Sequence, residues 1–363
     1  MQRPADTAWG IKDVMKRAYF CKKNLVFPVF IFLLISFLFS GCTDPGASAS
    51  EERSLFAMDT YMTLTAYGQH ASKALDAAEK EIHALDQLLS TGDPNSEITK
   101  LNQEGEAALS DVSSYLLQRS FEVYDLTGGA FNPLIYPLMK AWGFTEQDYR
   151  LPDEMTISAL LPLLHLDDID FDEKTKQVAF QQPGMMLDFG GIAKGYTSAR
   201  IMQIFAEQGV TSGLVSLGGN VQVLGSKPDG SLYKVAIRDP ERDQSFLGIV
   251  EVADKAVITS GGYERYFEED GVIYHHILDP ETGYPADRGL ISVTIVSSDG
   301  TLADGLSTAL YVLGEAKGSE VWKSHSDLFD VIFLTEDHTL YVSDGLRDTF
   351  TSQGYPVRYI TAD

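Results

Sequence analysis

The sequence predicts an α+β fold, and three observations carry that prediction. Short alternating strands crowd together after residue 213, whereas the helical patterns are grouped rather than interleaved strand by strand. No segment repeats at a fixed period, which argues against a solenoid or propeller. At 44% apolar residues, the 363-residue chain can bury a sizeable core as one large domain or two closely joined ones.

The N-terminus reads as a targeting segment, outside the fold. Lys12, Lys16, Arg17, Lys22 and Lys23 form a basic region, an apolar run spans 25–39, and Phe39-Ser40-Gly41-Cys42 follows. That order is a bacterial lipoprotein signal, predicting removal of residues 1–41 and lipidation of Cys42. Phe39 stands where Leu is usual, and an uncleaved membrane anchor is the alternative. Both place the rest of the chain outside the cytoplasm, held at the bacterial inner or cell membrane. The only other cysteine is Cys21, so the mature domain is expected to hold neither disulfide nor cysteine nucleophile. Residues 42–55 are expected to be the lipidated cysteine and a flexible tether, because 43–53 are small and polar, and 56–363 the folded domain.

The elements follow in order. Tyr61 to Gly68 alternates as a half-buried strand, and Ala71 to Leu89 carries an apolar helical stripe. A turn at 90–97 offers Asn95 or Ser96 as cap for a short helix. Helices are predicted over 113–126, closed by Gly128-Gly129, and over 154–164, with a hairpin at 169–180. Leu187-Asp188-Phe189-Gly190-Gly191-Ile192-Ala193-Lys194-Gly195-Tyr196 reads as a strand end, a glycine turn and a helix start, the helix stopping near Gly209. Strands are expected at 213–217, 221–224, 232–237, 248–252, 256–259, 272–277 and 290–296. Helices at 302–313 and 315–324 and a hairpin of 331–334 with 340–342 close the chain.

A formal charge of −24 argues against nucleic acid as a partner, and a bound nucleotide would need local cations. The turn at 187–196 offers such a place, with close backbone approach at its glycines, a helix N-terminus and Lys194, and with Asp188 beside it as an acceptor. It matches neither the dinucleotide-binding nor the P-loop pattern. Asp304 and Thr308 lie one helical turn apart and present hard oxygen ligands suited to Mg²⁺; an N-terminal Asp with an inward Thr is the structural alternative. The segment from Tyr274 to Pro285 places His275 and His276 at a strand end before a turn, where a histidine suits acid–base work. Leu217-Gly218-Gly219-Asn220 and Thr259-Ser260-Gly261-Gly262 are further strand-end turns.

Taken together these motifs resemble one family. Met58-Asp59-Thr60, the Ser90–Ile98 turn, Gly128-Gly129-Ala130-Phe131-Asn132-Pro133, Trp142-Gly143-Phe144, the 187–196 stretch and both strand-end turns occur in the order found in ApbE-type flavin transferases (FAD:protein FMN transferases). So do His276–Pro285 and Ala303–Ala309, and many members are lipoproteins. The resemblance implies a single compact domain with a mixed, mainly antiparallel sheet and flanking helices. It also implies a Mg²⁺-dependent enzyme that takes FAD as substrate, moves the FMN moiety onto a threonine of an acceptor protein and releases AMP. The acceptor would be a subunit of a membrane redox complex. Carried over by position, Met58, Gly129, Ala130, Phe131, Asp188, Lys194 and Ile277 would bind the flavin nucleotide. The Gly191 carbonyl, Asp304 and Thr308, with Ser307 close by, would hold the metal, and His276 would be the base. Three positions depart from the family: Gly92 for an aromatic, Asn132 for Asp and Ala199 for a carboxylate. Water as acceptor would make the protein an FAD pyrophosphatase, and loss of turnover a flavin-binding lipoprotein; retention of Asp304, Thr308 and His276 together argues against the latter.

Overall fold

Alternating apolar residues build one nine-stranded sheet whose spatial order is also chain order. Its strands are Ser50–Ala57, Thr60–Tyr67, Gly213–Leu217, Asn220–Leu224, Ala256–Gly261, Leu290–Ser297, Asp330–Thr335, Leu340–Ser343 and Val357–Ile360. Neighbours pair antiparallel throughout, except the last two, which are parallel. This is the mainly antiparallel α+β arrangement expected. The computed structural model describes residues 49–242 and 244–362; the predicted signal peptide and Cys42 lie outside them.

Among the described residues seven α-helices punctuate the sheet: α1 (Ala71–Leu89), α2 (Glu97–Glu104), α3 (Asp111–Thr127), α4 (Tyr136–Ala141), α5 (Glu154–Leu160), α6 (Ala193–Glu207) and α7 (Gly300–Ser324). The stripe Ala74, Leu75, Ala78, Ile82 and Leu85 of α1 packs with Ile201 and Phe205 of α6 against the first three strands. Farther along the sheet, α3 and α7 bury Leu116, Leu306 and Leu310 against Ile258, Val293 and Phe333. A large aliphatic side chain buried this way contributes about 1.5–3 kcal/mol. Strands Tyr233–Arg238, Phe246–Val252 and Phe350–Ser352 form a second sheet, whose Val235 and Val250 meet Val257, Val296 and Ile332 on the opposite face.

Local signals explain the helix ends. Ser96 caps α2 by accepting from the Thr99 amide at 2.9 Å, and Asp299 caps α7 through the Leu302 amide at 3.0 Å. The two helices expected at 302–313 and 315–324 form one run broken at Gly314, whose φ of 81° leaves the helical region. A Cβ there would stand 2.9 Å from Arg288 Cβ, so only glycine makes this bend easily.

Two expectations need correction. Residues 50–55, assigned to the tether, belong to the first strand, paired from Ser50↔Tyr67 to Ala57↔Thr60. Only Leu55 and Ala57 of that edge strand are buried, so it carries little apolar pattern; Arg53 ties it to Asp76 and Glu79 of α1. Leu187-Asp188 is extended without being a strand. The Asn102 side-chain amide brackets Leu187, its Oδ1 accepting from the Leu187 amide at 2.7 Å and its Nδ2 donating to the Leu187 carbonyl at 2.8 Å. The Asp188 amide donates to the Pro133 carbonyl at 2.8 Å. Side-chain and loop partners thus replace a sheet neighbour.

Candidate active site

Loops and helix ends meet around a cleft of about 810 Å³. Its walls come from the first hairpin, the loops around α1, α3 and α4, the start of α6, the first turns of α7 and the segment after residue 259. Met58 and Asp59 form the tip of the first hairpin with φ of 48° and 56°. Two non-glycine residues in the left-handed region cost roughly 1–2 kcal/mol each, and tertiary contacts hold them there. Asp86 accepts the Met58 amide at 3.0 Å, and the Thr197 hydroxyl lies 3.7 Å from its sulfur. The strained tip thereby sets Met58 on the cleft wall.

Close crossing of α6 and α7 positions the acidic end of the cleft. A Cβ at Gly195 would stand 2.1 Å from the Gly300 carbonyl oxygen and 2.5 Å from Asp304 Cβ. Without side chains between them, the Gly195 amide donates to Asp304 Oδ2 at 2.8 Å. Asn220 Nδ2 donates to Oδ1 at 2.9 Å. Burial raises the Asp304 carboxyl above its ordinary range, while Lys194, the Gly195 amide and Asn220 oppose that rise. The α6 N-terminus, expected to face a phosphate, therefore turns this amide to Asp304 instead. Gly195→Ala should separate the two helices, lowering stability by roughly 3 kcal/mol and pulling the Gly195 amide away from Asp304. Denaturant titration tests this; a wild-type midpoint would refute the crossing as a constraint.

Thr308 lies one turn beyond Asp304, half-buried on the cleft wall, with Ser260 Oγ at 3.4 Å. Gly191 faces it, since a Cβ there would stand 3.8 Å from Thr308 Oγ1 and 3.0 Å from the Phe131 ring. Ser307 is different. It is fully buried, donates to the Asp304 carbonyl at 2.8 Å and lies 2.7 Å from Ser260 Oγ, so its hydroxyl is used within the protein. It does not line the cleft, and neither does Gly129, whose φ of 91° completes the turn after α3 against the Tyr124 ring. Ala130 and Phe131, delivered by that turn, do line it.

Asp188, Lys194, His276 and Ile277 also line the cleft, with Lys194 close to Asp304. Asp188 accepts the Gly190 amide at 2.8 Å; burial raises its carboxyl, against the pull of that amide and of Arg265. The paired histidines separate cleanly. His275 Nε2 donates to the Ala286 carbonyl at 3.0 Å, and Nδ1 accepts from the Ile277 amide at 3.3 Å, leaving both ring nitrogens in structural use. His276 faces the cleft. Its backbone amide donates to the Arg265 carbonyl at 3.0 Å, with Nδ1 at 3.2 Å from the same oxygen. Because a carbonyl oxygen only accepts, the proton sits on Nδ1 and Nε2 keeps its lone pair. Desolvation, helped by Arg265, His275 and Lys194, pushes this imidazole down to about 3.

The departures from the family acquire local explanations. Asn132 is buried and donates to the Leu164 carbonyl at 2.8 Å while accepting the Leu134 amide at 2.9 Å; an ionised Asp would keep only the second bond. A Cβ at Gly92 would meet only Ser90 Oγ, at 3.9 Å, and Tyr136 and Phe144 are among the residues lining the same cleft. Ala199 does not line it. Sequence reasoning assigned no role to Asn220, Ser260 or Arg265. The first two lay in turns it singled out for glycine, and Arg265 follows the second of those turns with no signal of its own.

Among the described residues no three His, Cys, Asp or Glu side chains gather to hold a metal. One buried carboxylate and one hydroxyl remain, with the Gly191 backbone beside them, an all-oxygen set that suits a hard cation rather than zinc. Each Asp304 oxygen accepts one hydrogen bond, which leaves lone pairs free, and a cation would offset the burial of the charge.

The family model described as the ApbE family matches residues 58–333. A curated FAD:protein FMN transferase of Klebsiella pneumoniae (strain 342) is 40% identical over 236 residues, 64% of this chain and 72% of its own. That of Treponema pallidum (strain Nichols) is 32% identical over 317 residues, covering 82% and 87%. The crystal structure of the ApbE protein from Thermotoga maritima superposes with a TM-score of 0.78 at 31% identity, over 82% of this chain and 98% of that one. The flavin transferase ApbE from Vibrio cholerae gives 0.73 at 25% identity, over 83% and 100%.

Proposed function

The chain belongs to the ApbE family, and from that premise we propose that it is an FAD:protein FMN transferase, Mg²⁺-dependent, with a threonine hydroxyl as acceptor. The observation that carries the reading is the meeting of Asp304, Thr308, Lys194 and His276 on one cleft, from three stretches far apart in the chain. In the transfer, the acceptor oxygen bonds to the phosphorus of the FMN half. The bond from that phosphorus to the bridging oxygen breaks, and AMP leaves with that oxygen.

Such chemistry depends on positioning and charge stabilisation more than on covalent help from the protein. Asp304, Thr308 and the Gly191 carbonyl would hold Mg²⁺, which when bound supplies positive charge to the phosphates. Lys194 adds a cation that an acidic protein needs to keep a pyrophosphate. His276 Nε2, with its lone pair free, would take the proton of the incoming hydroxyl. Met58, Ala130, Phe131, Asp188 and Ile277 would hold the nucleotide, with Gly129 acting through the turn and Ser307 through Asp304.

We also keep the lipoprotein reading, with a lipidated Cys42, an extracytoplasmic site and a membrane redox subunit as acceptor. Strand pairing begins at Ser50, so no more than seven residues, 43–49, separate Cys42 from paired backbone. Their contour is at most about 25 Å, which would favour acceptors held at the same membrane.

The test uses the chain from Thr43 onward with FAD, Mg²⁺ and an acceptor domain carrying a candidate threonine. The acceptor should gain the mass of one FMN moiety while AMP is released, and EDTA should block both and weaken FAD retention. Free FMN and AMP with an unmodified acceptor would mean hydrolysis instead. Unaltered FAD would remove the enzymatic reading.

A further inference from the structure

Arg265 stands where the chain leaves the 3₁₀ turn Gly262–Glu264 and enters the hairpin of Tyr266–Glu269 with Val272–His275. Its carbonyl holds His276, as described, and it lines the cleft. Its guanidinium forms no ion pair or hydrogen bond with another described residue, although the described arginines 53, 119, 150, 200, 242 and 288 all pair with carboxylates. Its charge nevertheless reaches two cleft residues, steadying the Asp188 carboxylate and opposing protonation of His276. An exposed cation that leaves its five donors to solvent, on a cleft and beside His276 in a protein of charge −24, has room for an anionic partner from outside the chain.

We propose that Arg265 is a phosphate-positioning residue, its guanidinium engaging a phosphate of FAD so that it and Lys194 bracket His276. The planar fork can meet two phosphate oxygens at once, which a lysine ammonium cannot do with the same fixed geometry. The role rests on FAD being the substrate. It adds to Lys194 a second cation for the charge that moves onto the AMP phosphate as the bridging bond breaks.

Arg265→Gln removes the guanidinium and keeps the backbone carbonyl, so the Nδ1–H tautomer of His276 is preserved. Affinity for FAD and for riboflavin, which has no phosphate, is measured by flavin fluorescence, beside steady-state FMN transfer. Arg265→Gln should weaken FAD by roughly 10- to 100-fold and leave riboflavin within twofold, with kcat/KM falling and an unchanged melting curve. Arg265→Lys should fall between the two. Loss of the cation should also move the acid limb of the rate profile upward, because Arg265 opposes protonation of His276 alongside His275, Lys194 and the burial of the ring. Unchanged FAD affinity, or equal weakening of FAD and riboflavin, would overturn the assignment. Absence of transfer by the wild-type chain would instead count against the transferase reading, while the binding comparison would still decide the role of Arg265.

Discussion

Asp304→Asn is expected to lower FMN transfer by roughly 10²–10³-fold or more, the range seen when one preorganised electrostatic element of a site is removed. The reason is specific to its surroundings. Asp304 receives donors on both oxygens, from the Gly195 amide and from Asn220 Nδ2. An asparagine has one carbonyl oxygen, so one donor must face an NH₂ group, and a carboxylate able to face a cation is lost. Stability should move less than activity, because removal of a buried charge offsets the unpaired donor. A second readout needs no turnover. Burial raises the folded-state Asp304 carboxyl above 3.8. In metal-free protein its contribution to stability is therefore present below that unfolded value and lost as pH rises through the folded one. In the proposed role Mg²⁺ would bind the deprotonated form and reverse the loss, raising the melting temperature of wild type at neutral pH and leaving Asp304→Asn unmoved. Calorimetry with and without Mg²⁺ decides it; equal stabilisation of both proteins would take Asp304 out of the metal shell.

Much of this site was legible because its groups sit at positions with short-range signatures. Asp304 and Thr308 are one turn apart on a helix, and α1 matches its predicted span because its apolar stripe has one period throughout. What escaped was set by distant partners. Ser50–Leu55 looks like a tether because an edge strand with one covered face needs few apolar residues, and its pairing depends on the strand after it. Leu187-Asp188 looks like a strand and is held extended by the Asn102 amide, 85 positions away. The α6 N-terminus looks like an anion site, but which acceptor its amides face is decided by α7 crossing at Gly195 and Gly300. Asn220 and Ser260 escaped for the same reason, since a glycine turn announces itself whereas the reach of the neighbouring side chain does not. The two histidines illustrate the limit most directly. They are adjacent in sequence, and only their partners separate them: His275 is tied at both ring nitrogens, whereas His276 is tied at Nδ1 alone and keeps Nε2 free.

That free nitrogen makes His276→Ala the other large expected effect: a fall in kcat of roughly 10²–10⁴-fold, the usual contribution of general base catalysis, with FAD affinity within threefold. Equal losses in both would make His276 a binding residue. An imidazole pushed down to about 3 is neutral at working pH, ready to accept a proton but weakly basic. Bound pyrophosphate supplies the correction, because its negative charge would offset Lys194 and Arg265 and raise the imidazole toward the range useful for catalysis. The acid limb of kcat should therefore lie above that of kcat/KM, which reports the free enzyme. Stability carries the complementary sign. The unfolded histidine takes a proton near 6.5, whereas the folded one resists until about 3. Its contribution is thus complete above 6.5 and lost as pH falls through that window. His276→Ala should lose less stability than wild type between those limits. Parallel stability curves for the two proteins would mean that the ring is solvated and ordinary, and a base that is solvated before FAD arrives would have no need of the bound phosphate to tune it.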